Sequence, residues 1–353
     1  VRMRIGMVAP LAESVPPALY GGTERVVHYL TEELVRLGCE VTLFAAGDSR
    51  TSARLVGCAP RALRLDPAVR DQLPHHIAML RTVREQADRF DLIHANIDWL
   101  HYPALLDRLG RTLTTLHGRL DLPDLRAVHH AYPEAPLVSV SEAQRAPLAD
   151  LRLNWMGTVH HGLPADLYRP STRGGDTLLF LGRISPEKRP DRAIRIAAAA
   201  RMRLRIAAKV DAVDRDYHER EIAPLMRAHD VEFVGEVDDA GKQRLLAESR
   251  ALLFPIDWPE PFGLVMIEAM ACGTPVIAWR CGSVPEVVEP GVTGFIVASE
   301  AEAAEAARRA VLLDRGRIRA RFEARFTAER MARDYLAIYA RLCESASQRP
   351  IAA

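Results

Sequence analysis

Two glutamates separated by seven residues stand in the string Glu260-Pro-Phe-Gly-Leu-Val-Met-Ile-Glu268-Ala-Met-Ala-Cys-Gly-Thr-Pro-Val-Ile-Ala278. An apolar run, Ala251–Phe254, precedes them and reads as a strand. Glu260 then falls in a loop, Phe262 and Gly263 make a tight turn, and a helix starts near Leu264. The amides from Gly263 to Val265 at such a start have no intrahelical acceptor and sit at the positive end of the helix dipole. A diphosphate suits that place, and Gly263 lets the backbone come close to it. Glu268 lies about one turn deeper. A diphosphate would repel its carboxylate, so its chemistry is to accept from hydroxyls, of which ribose and sugars offer many.

A second segment carries cations. Leu181-Gly-Arg183-Ile-Ser-Pro-Glu-Lys188-Arg-Pro190 follows the strand Thr177–Leu181. Gly182 permits a sharp exit there, and Pro186 and Pro190 bracket a helix start. Arg183 and Lys188 at a strand end would neutralise a diphosphate and stabilise it as a leaving group. A third segment, Tyr20-Gly-Gly22-Thr-Glu24, offers close backbone approach, with Thr23 as the expected helix cap. It is not the dinucleotide fingerprint, because G-x-G-x-x-G is absent. His117 ends a strand and precedes Gly118, and its ordinary pKa near neutrality would suit both hydrogen bonding and proton handling.

The E-P-F-G-L…E-A-M-A-C-G-T-P-V-I-A string resembles that of the retaining nucleotide-sugar glycosyltransferases of family 4, specifically over about 20 residues and more weakly over nearly the whole chain. The resemblance implies the GT-B fold, in which two Rossmann-like α/β domains face each other across a deep cleft. It implies that Glu260 contacts hydroxyls of the donor sugar and Glu268 the ribose, with Phe262, Gly263, Leu264 and Val265 in the donor-binding set. It puts Arg183 and Lys188 on the diphosphate, Gly22 at donor phosphate or sugar, and His117 beside the reacting sugar. Glu236 and Val237 match the segment that meets the nucleobase. Two departures stand out. Cys281 replaces the first glycine of the G-G-x-P-E element, and His161-Gly162 stands where relatives usually have Asn-Gly.

The elements that must position these residues are short apolar runs alternating with helix-period stripes. In the first half the strands read as Arg4–Ala9, Glu40–Ala45, Leu92–Ala95, Thr112–Leu116 and Leu137–Val140, with a sixth near Val159; the helix Thr23–Leu37 is stopped by Gly38. Ser141 reads as a helix cap. In the second half they read as Thr177–Leu181, Leu204–Ala208, Val231–Val234, Ala251–Phe254, Pro275–Ala278 and Gly294–Val297. Helices fit at 191–200, 216–228, 239–248, 264–271, 300–313 and 328–343. Strand and helix alternation of this kind builds parallel sheets covered on both faces. Residues 162–176, rich in Gly and Pro, read as a linker. The expected domains are 1–165 on the acceptor side, 172–325 for the nucleotide sugar, and a final helix in 326–353 that returns to the first domain. The Arg-rich stretch near 300–325 reads as a solvated helix face.

Composition sets the outer limits. The 353 residues carry 47 Lys+Arg against 46 Asp+Glu, which argues against a nucleic-acid coat. No apolar run approaches the ~18 residues of a membrane span, and Ile5–Pro10 is too short for a signal-peptide core. Five widely spaced cysteines predict no disulfide framework and a cytoplasmic location. The adjacent pairs His75-His76, His129-His130 and His160-His161 read as structural, since neighbouring side chains diverge on regular elements. No metal is expected, because cationic side chains can do its work on a diphosphate. The expected activity is transfer of a sugar from a nucleoside-diphosphate donor, UDP-sugar favoured, to a hydroxyl of a soluble carbohydrate or small metabolite. An epimerase, a phosphorylase, a nicotinamide dehydrogenase and an inactive relative remain alternatives. The loops 12–20, 96–102 and 118–124 are expected to meet the acceptor, with Asp98, Trp99 and Tyr102 either contacting a sugar or serving as core and edge residues.

Overall fold

The computed structural model describes residues 2–19 and 21–348; Tyr20 lies outside the described residues. The chain divides into two compact units, residues 1–164 with 328–353, and residues 165–327.

Unit 1 holds a seven-stranded parallel sheet: β1 (Arg4–Val8), β2 (Glu40–Ala46), β3 (Arg54–Ala59), β4 (Leu92–Ala95), β5 (Thr112–Thr115), β6 (Leu137–Ser139) and β7 (Trp155–Thr158), ordered β3-β2-β1-β4-β5-β6-β7. Order reverses at β1, which pairs with β2 on one side and β4 on the other. The helix Gly22–Arg36 buries Val26, Val27, Leu30 and Leu34, the expected stripe. It starts one residue before the expected cap. Gly21 precedes it at φ 153° with no side-chain cap, and a Cβ there would lie 2.8 Å from Pro17. Thr23 is therefore a first-turn residue, not the cap. Ser141 does cap its helix, accepting from Gln144 N–H at 3.1 Å. The last strand lies at 155–158, just before Val159. Strand Arg54–Ala59 and helix Leu73–Gln86 add to the expected elements. The terminal helix, Ala328–Gln348, belongs to unit 1. Tyr339 and Tyr335, both buried, reach the sheet through a hydrogen-bonded chain. His94 joins Tyr339 and Thr115 at 2.7 Å each, and Thr115 joins Tyr335 at 2.9 Å.

Unit 2 holds a six-stranded parallel sheet: β8 (Thr177–Arg183), β9 (Leu204–Lys209), β10 (Val231–Phe233), β11 (Ser249–Phe254), β12 (Val276–Trp279) and β13 (Gly294–Val297), ordered β10-β9-β8-β11-β12-β13. Its core gathers Phe180, Ile194, Leu253, Ile277 and Ala307 among others. Both sheets thus follow the doubly wound plan. The expected helix 216–228 is broken into Arg215–Tyr217, a wide-turn segment His218–Ile222, and Ala223–Ala228. Pro224 explains the break, since it lacks an N–H and its ring displaces the carbonyl a turn earlier. The Arg-rich stretch is not simply a solvated face. Arg315 is buried and donates to Ser171 O (2.8 Å), Ser249 O (3.0 Å) and Thr274 Oγ1 (2.7 Å), and Arg319 donates to Tyr168 O (2.8 Å) and Ala271 O (2.7 Å). Carbonyls of the irregular segment after residue 164 are thereby satisfied by buried guanidinium groups, as buried polar atoms require.

Candidate active site

Parallel sheets present ligand sites at the carboxyl ends of their strands, beside the strand where order reverses. In unit 2 that strand is β8, flanked by β9 and β11. β8 runs further than expected. Gly182 and Arg183 still pair with Ala208 and Lys209, so Gly182 lies inside the strand and the chain leaves after Arg183. Arg183 donates to Glu187 at 2.9 Å and lies 3.7 Å from Asp211. Pro186–Lys188 form a single tight turn, and Pro190 opens the next helix.

The loop after β11 returns Glu260 to this edge. Lys188 Nζ donates to Glu260 Oε2, which also accepts from Trp258 Nε1–H at 2.9 Å. The Lys188 ammonium lies 4.7 Å from the centroid of the Trp258 ring, a cation–π distance. Glu260 is only 9% exposed, so this paired arrangement fixes its carboxylate. Its backbone is clamped as well. Ser283 N–H donates to Glu260 O at 3.1 Å, Ser283 Oγ donates to Phe262 O at 2.6 Å, and Cys281 Sγ donates to Trp258 O at 2.8 Å. A Cβ on Gly282, at φ 53°, would lie 2.3 Å from Glu260 O, so only glycine lets the two loops meet.

Gly263 takes the left-handed conformation, φ 79° and ψ 70°, immediately before the helix Leu264–Ala271. Phe262 and residues from Met266 onward are buried, whereas Gly263, Leu264 and Val265 are half-buried. The first-turn amides are therefore the part of the helix within reach of solvent. Glu268, 2% exposed, is held by Lys242 Nζ at 2.8 Å; its Oε2 has no hydrogen-bond partner among the described residues. Glu236 and Val237 lie in the loop after β10, with Gly235 at φ 82° and its carbonyl accepting from Ala208 N–H at 2.9 Å.

Gly22 and His117 belong to unit 1. There the order-reversing strand is β1, and a cavity of about 340 Å³ sits beside it. It is lined by residues after β1 (Pro10, Thr23), after β4 (Asn96, Ile97, Asp98, Leu100) and after β5 (His117, Gly118), with His76. His117 Nε2–H donates to Asn96 Oδ1 at 2.9 Å, an assignment set by Asn96 Nδ2, which faces Val8 O at 3.3 Å. The ring stacks on His161, centroids 5.4 Å apart and planes within 17°. Burial pushes the His117 pKa down to about 4. In this environment its ring is a hydrogen-bonding group. Burial also drives His161 well below its ordinary value. Asp98 sits at φ 50°; partial enclosure raises its carboxyl pKa, and a hydrogen bond from the His117 backbone pulls the other way. Tyr102 is fully buried against Leu109, Leu116 and Leu137, so it is a core residue, while Trp99 is exposed.

Trp258, Lys242, Asn96 and Ser283 were not singled out by the sequence reading. Trp258 lies two residues before Glu260 and was within reach of inspection. The others carry no local signal, since they come from distant elements. Among the described residues no group of three or more His, Cys, Asp or Glu side chains is placed to hold a metal ion, and all five cysteines are free thiols. No described helix is long and apolar enough to cross a membrane.

Comparison with known proteins matches residues 170–327 to the family described as Glycosyl transferases group 1 and residues 20–163 to Glycosyltransferase Family 4. The chain is 28% identical to a phosphatidyl-myo-inositol mannosyltransferase of Mycolicibacterium smegmatis, over 94% of this chain and 90% of that protein. It is 27% identical to a D-inositol 3-phosphate glycosyltransferase of Thermobispora bispora, over 95% of each. Among solved structures, a glycosyltransferase of avilamycin A biosynthesis superimposes with a TM-score of 0.74 at 26% identity, covering 97% of this chain and 98% of that one. A sucrose-phosphate synthase from Thermosynechococcus elongatus gives 0.79 at 22% identity, covering 98% and 100%, and shares the fold. With two family matches that together run through both units, and two doubly wound sheets to match, the chain belongs to the family 4 glycosyltransferases and has their GT-B fold.

Proposed function

We propose that this glycosyltransferase takes its sugar from a nucleoside-diphosphate donor, with UDP-sugars favoured, and transfers it to an acceptor hydroxyl with retention of anomeric configuration. The observation that carries this reading is the edge of unit 2. There Lys188 is locked onto Glu260, while Arg183 ends strand β8 and the half-buried residues Gly263 to Val265 open the helix that follows the adjacent strand β11. When the bond from the anomeric carbon to phosphate breaks, its electron pair stays on the diphosphate. Arg183, Lys188 and the helix amides would stabilise that charge. Glu260 would accept from donor-sugar hydroxyls and Glu268 from the ribose, with the loop of Glu236 and Val237 against the base. Gly22 would bring backbone near the donor, and His117 would orient the reacting sugar. The acceptor oxygen bonds the anomeric carbon and gives its proton to the departing diphosphate, which has taken the electron pair. Cations and amides would do what a metal does elsewhere, so the reading includes no metal requirement and a cytoplasmic setting. Two relatives are named for phosphatidyl-myo-inositol and for D-inositol 3-phosphate; for this chain a soluble carbohydrate or small metabolite is proposed.

A thermal-shift panel of UDP, GDP, ADP, TDP and their sugar conjugates, with and without chelator, tests it. A ligand at ~100 times its dissociation constant stabilises by ~2.7 kcal/mol. The expected result is a shift with one nucleoside diphosphate that chelator leaves intact. Absence of any shift overturns the donor assignment.

A further inference from the structure

The unit 1 cavity differs in charge from the edge of unit 2. Among the described residues that line it, none is Lys or Arg, and Asp98 brings a carboxyl group. His76 Nε2 accepts from Leu11 N–H at 3.2 Å, and its Nδ1 lies 2.9 Å from Gln72 O. His117 has its pKa held at about 4 by burial, and with Nε2–H given to Asn96 its Nδ1 is a hydrogen-bond acceptor with no partner among the described residues. Outside the lining, Arg64 donates to Glu13 at 2.8 Å and Arg119 to Asp121 at 2.6 Å. The helix Gly22–Arg36 points its N-terminus here through Thr23, and its first turn carries the buried side chain of Glu24.

A site with carboxylate and imidazole acceptors wants hydrogen-bond donors from its ligand, and hydroxyls supply them. The apolar wall of Pro10, Ile97 and Leu100 suits the C–H face of a ring. A phosphate monoester brings −1.5 to −2 charges. Beside the Asp98 carboxyl, with no Lys or Arg among the described lining residues, that charge meets like-charge repulsion. We propose that this cavity takes the acceptor as an uncharged, polyhydroxylated ring and that Asp98 selects against acceptors phosphorylated on that ring. The proposal rests on the transferase reading above, and it separates this chain from relatives whose names specify D-inositol 3-phosphate.

The test uses the full chain and matched probes: myo-inositol and myo-inositol 3-phosphate, glucose and glucose 6-phosphate, mannose and mannose 6-phosphate. Binding is read by calorimetry without nucleotide, and transfer by acceptor-dependent release of nucleoside diphosphate. Uncharged rings should bind, with every ester about tenfold weaker or worse. Asp98→Asn, which tolerates the same left-handed backbone, should narrow that ratio. Leu100→Arg, placing a cation in the wall, should move affinity toward the esters. An ester preferred by the native chain, a ratio unmoved in both variants, or no uncharged ring bound overturns the proposal. Because ring binding is measured without nucleotide, failure of the donor reading shows separately, as absence of nucleotide binding.

Discussion

On β4 and β5 of unit 1 and in the turns beside them, buried and half-buried polar groups are neutral: His94, His101, Thr114, Thr115 and His117. At the matching edge of unit 2 they are charged and paired: Lys188 with Glu260, Lys242 with Glu268. Two sheets of the same topology therefore meet the cost of buried polarity in opposite ways. Neutral groups hydrogen-bond and hold no field. Paired charges cost more to bury, and each partner offsets part of that cost. The difference teaches what each edge can receive. On the proposed reading, unit 2 would keep cations in place for a polyanion, and unit 1 would offer acceptors to hydroxyls.

The comparison breaks most readily at Arg183 and Lys188. Replacing either by alanine should lower turnover by ~10²–10³ if they stabilise the leaving diphosphate. Lys188→Ala also leaves the Glu260 carboxylate buried with only Trp258 as a named donor. Native turnover in either variant, measured with the donor found by thermal shift, would end the contrast on the unit 2 side.

Acid should separate the units next. Burial pushes His94 and His101 from an ordinary 6.5 down to about 3. The unfolded chain therefore binds protons below pH 6.5 that the folded chain refuses. Stability is complete above pH 6.5 and falls as pH drops toward 3, by about 3 kcal/mol per histidine at pH 4. In unit 2 the shifts run through carboxylates. Asp191 lies at about 2, lowered by Arg189 and Arg195 against the opposing effect of burial, and Glu289 is lowered by Arg321 and Arg325 against the same opposition. Their contribution persists until pH falls below the ordinary carboxylate range. Hydrogen exchange at pH 7, 5 and 4 should show unit 1 opening first, and equal loss in both units would contradict the assignment.

Smaller effects sharpen the picture at the clamp on Glu260. Gly282→Ala would force a Cβ to within 2.3 Å of Glu260 O from a left-handed backbone. It should cost roughly 1–3 kcal/mol and lower turnover, read by thermal melting and by kcat together. Ser283→Ala removes the 2.6 Å bond to Phe262 O and should cost about 1 kcal/mol. A neutral Gly282→Ala would show that the loops have room the geometry denies.

Much of this was legible along the chain. Helices Asp239–Glu248 and Leu264–Ala271 fall at their expected bounds, and the six strands of unit 2 lie within two residues of theirs. Strands buried on both faces read as apolar runs, and Gly263 and Pro190 punctuate them for stereochemical reasons that act locally. Strand Arg54–Ala59 escaped notice because, as a partly exposed edge strand, it lacks such a run. The residue types at the site were legible too, since a strand, a turn and a helix start with Glu260, Gly263 and Glu268 are written in one stretch. What only the tertiary structure decided is which groups share charge and space. Lys188 meets Glu260 across 72 positions and Lys242 meets Glu268 across 26. His117 finds Asn96 and His161 on other strand ends, and Tyr102 goes to the core. Periodicity and turn chemistry act over a few neighbouring residues, so the sequence determines elements and their chemical content. Protonation, pairing and access depend on distances across the sheet edge, and those exist only once the strands are side by side.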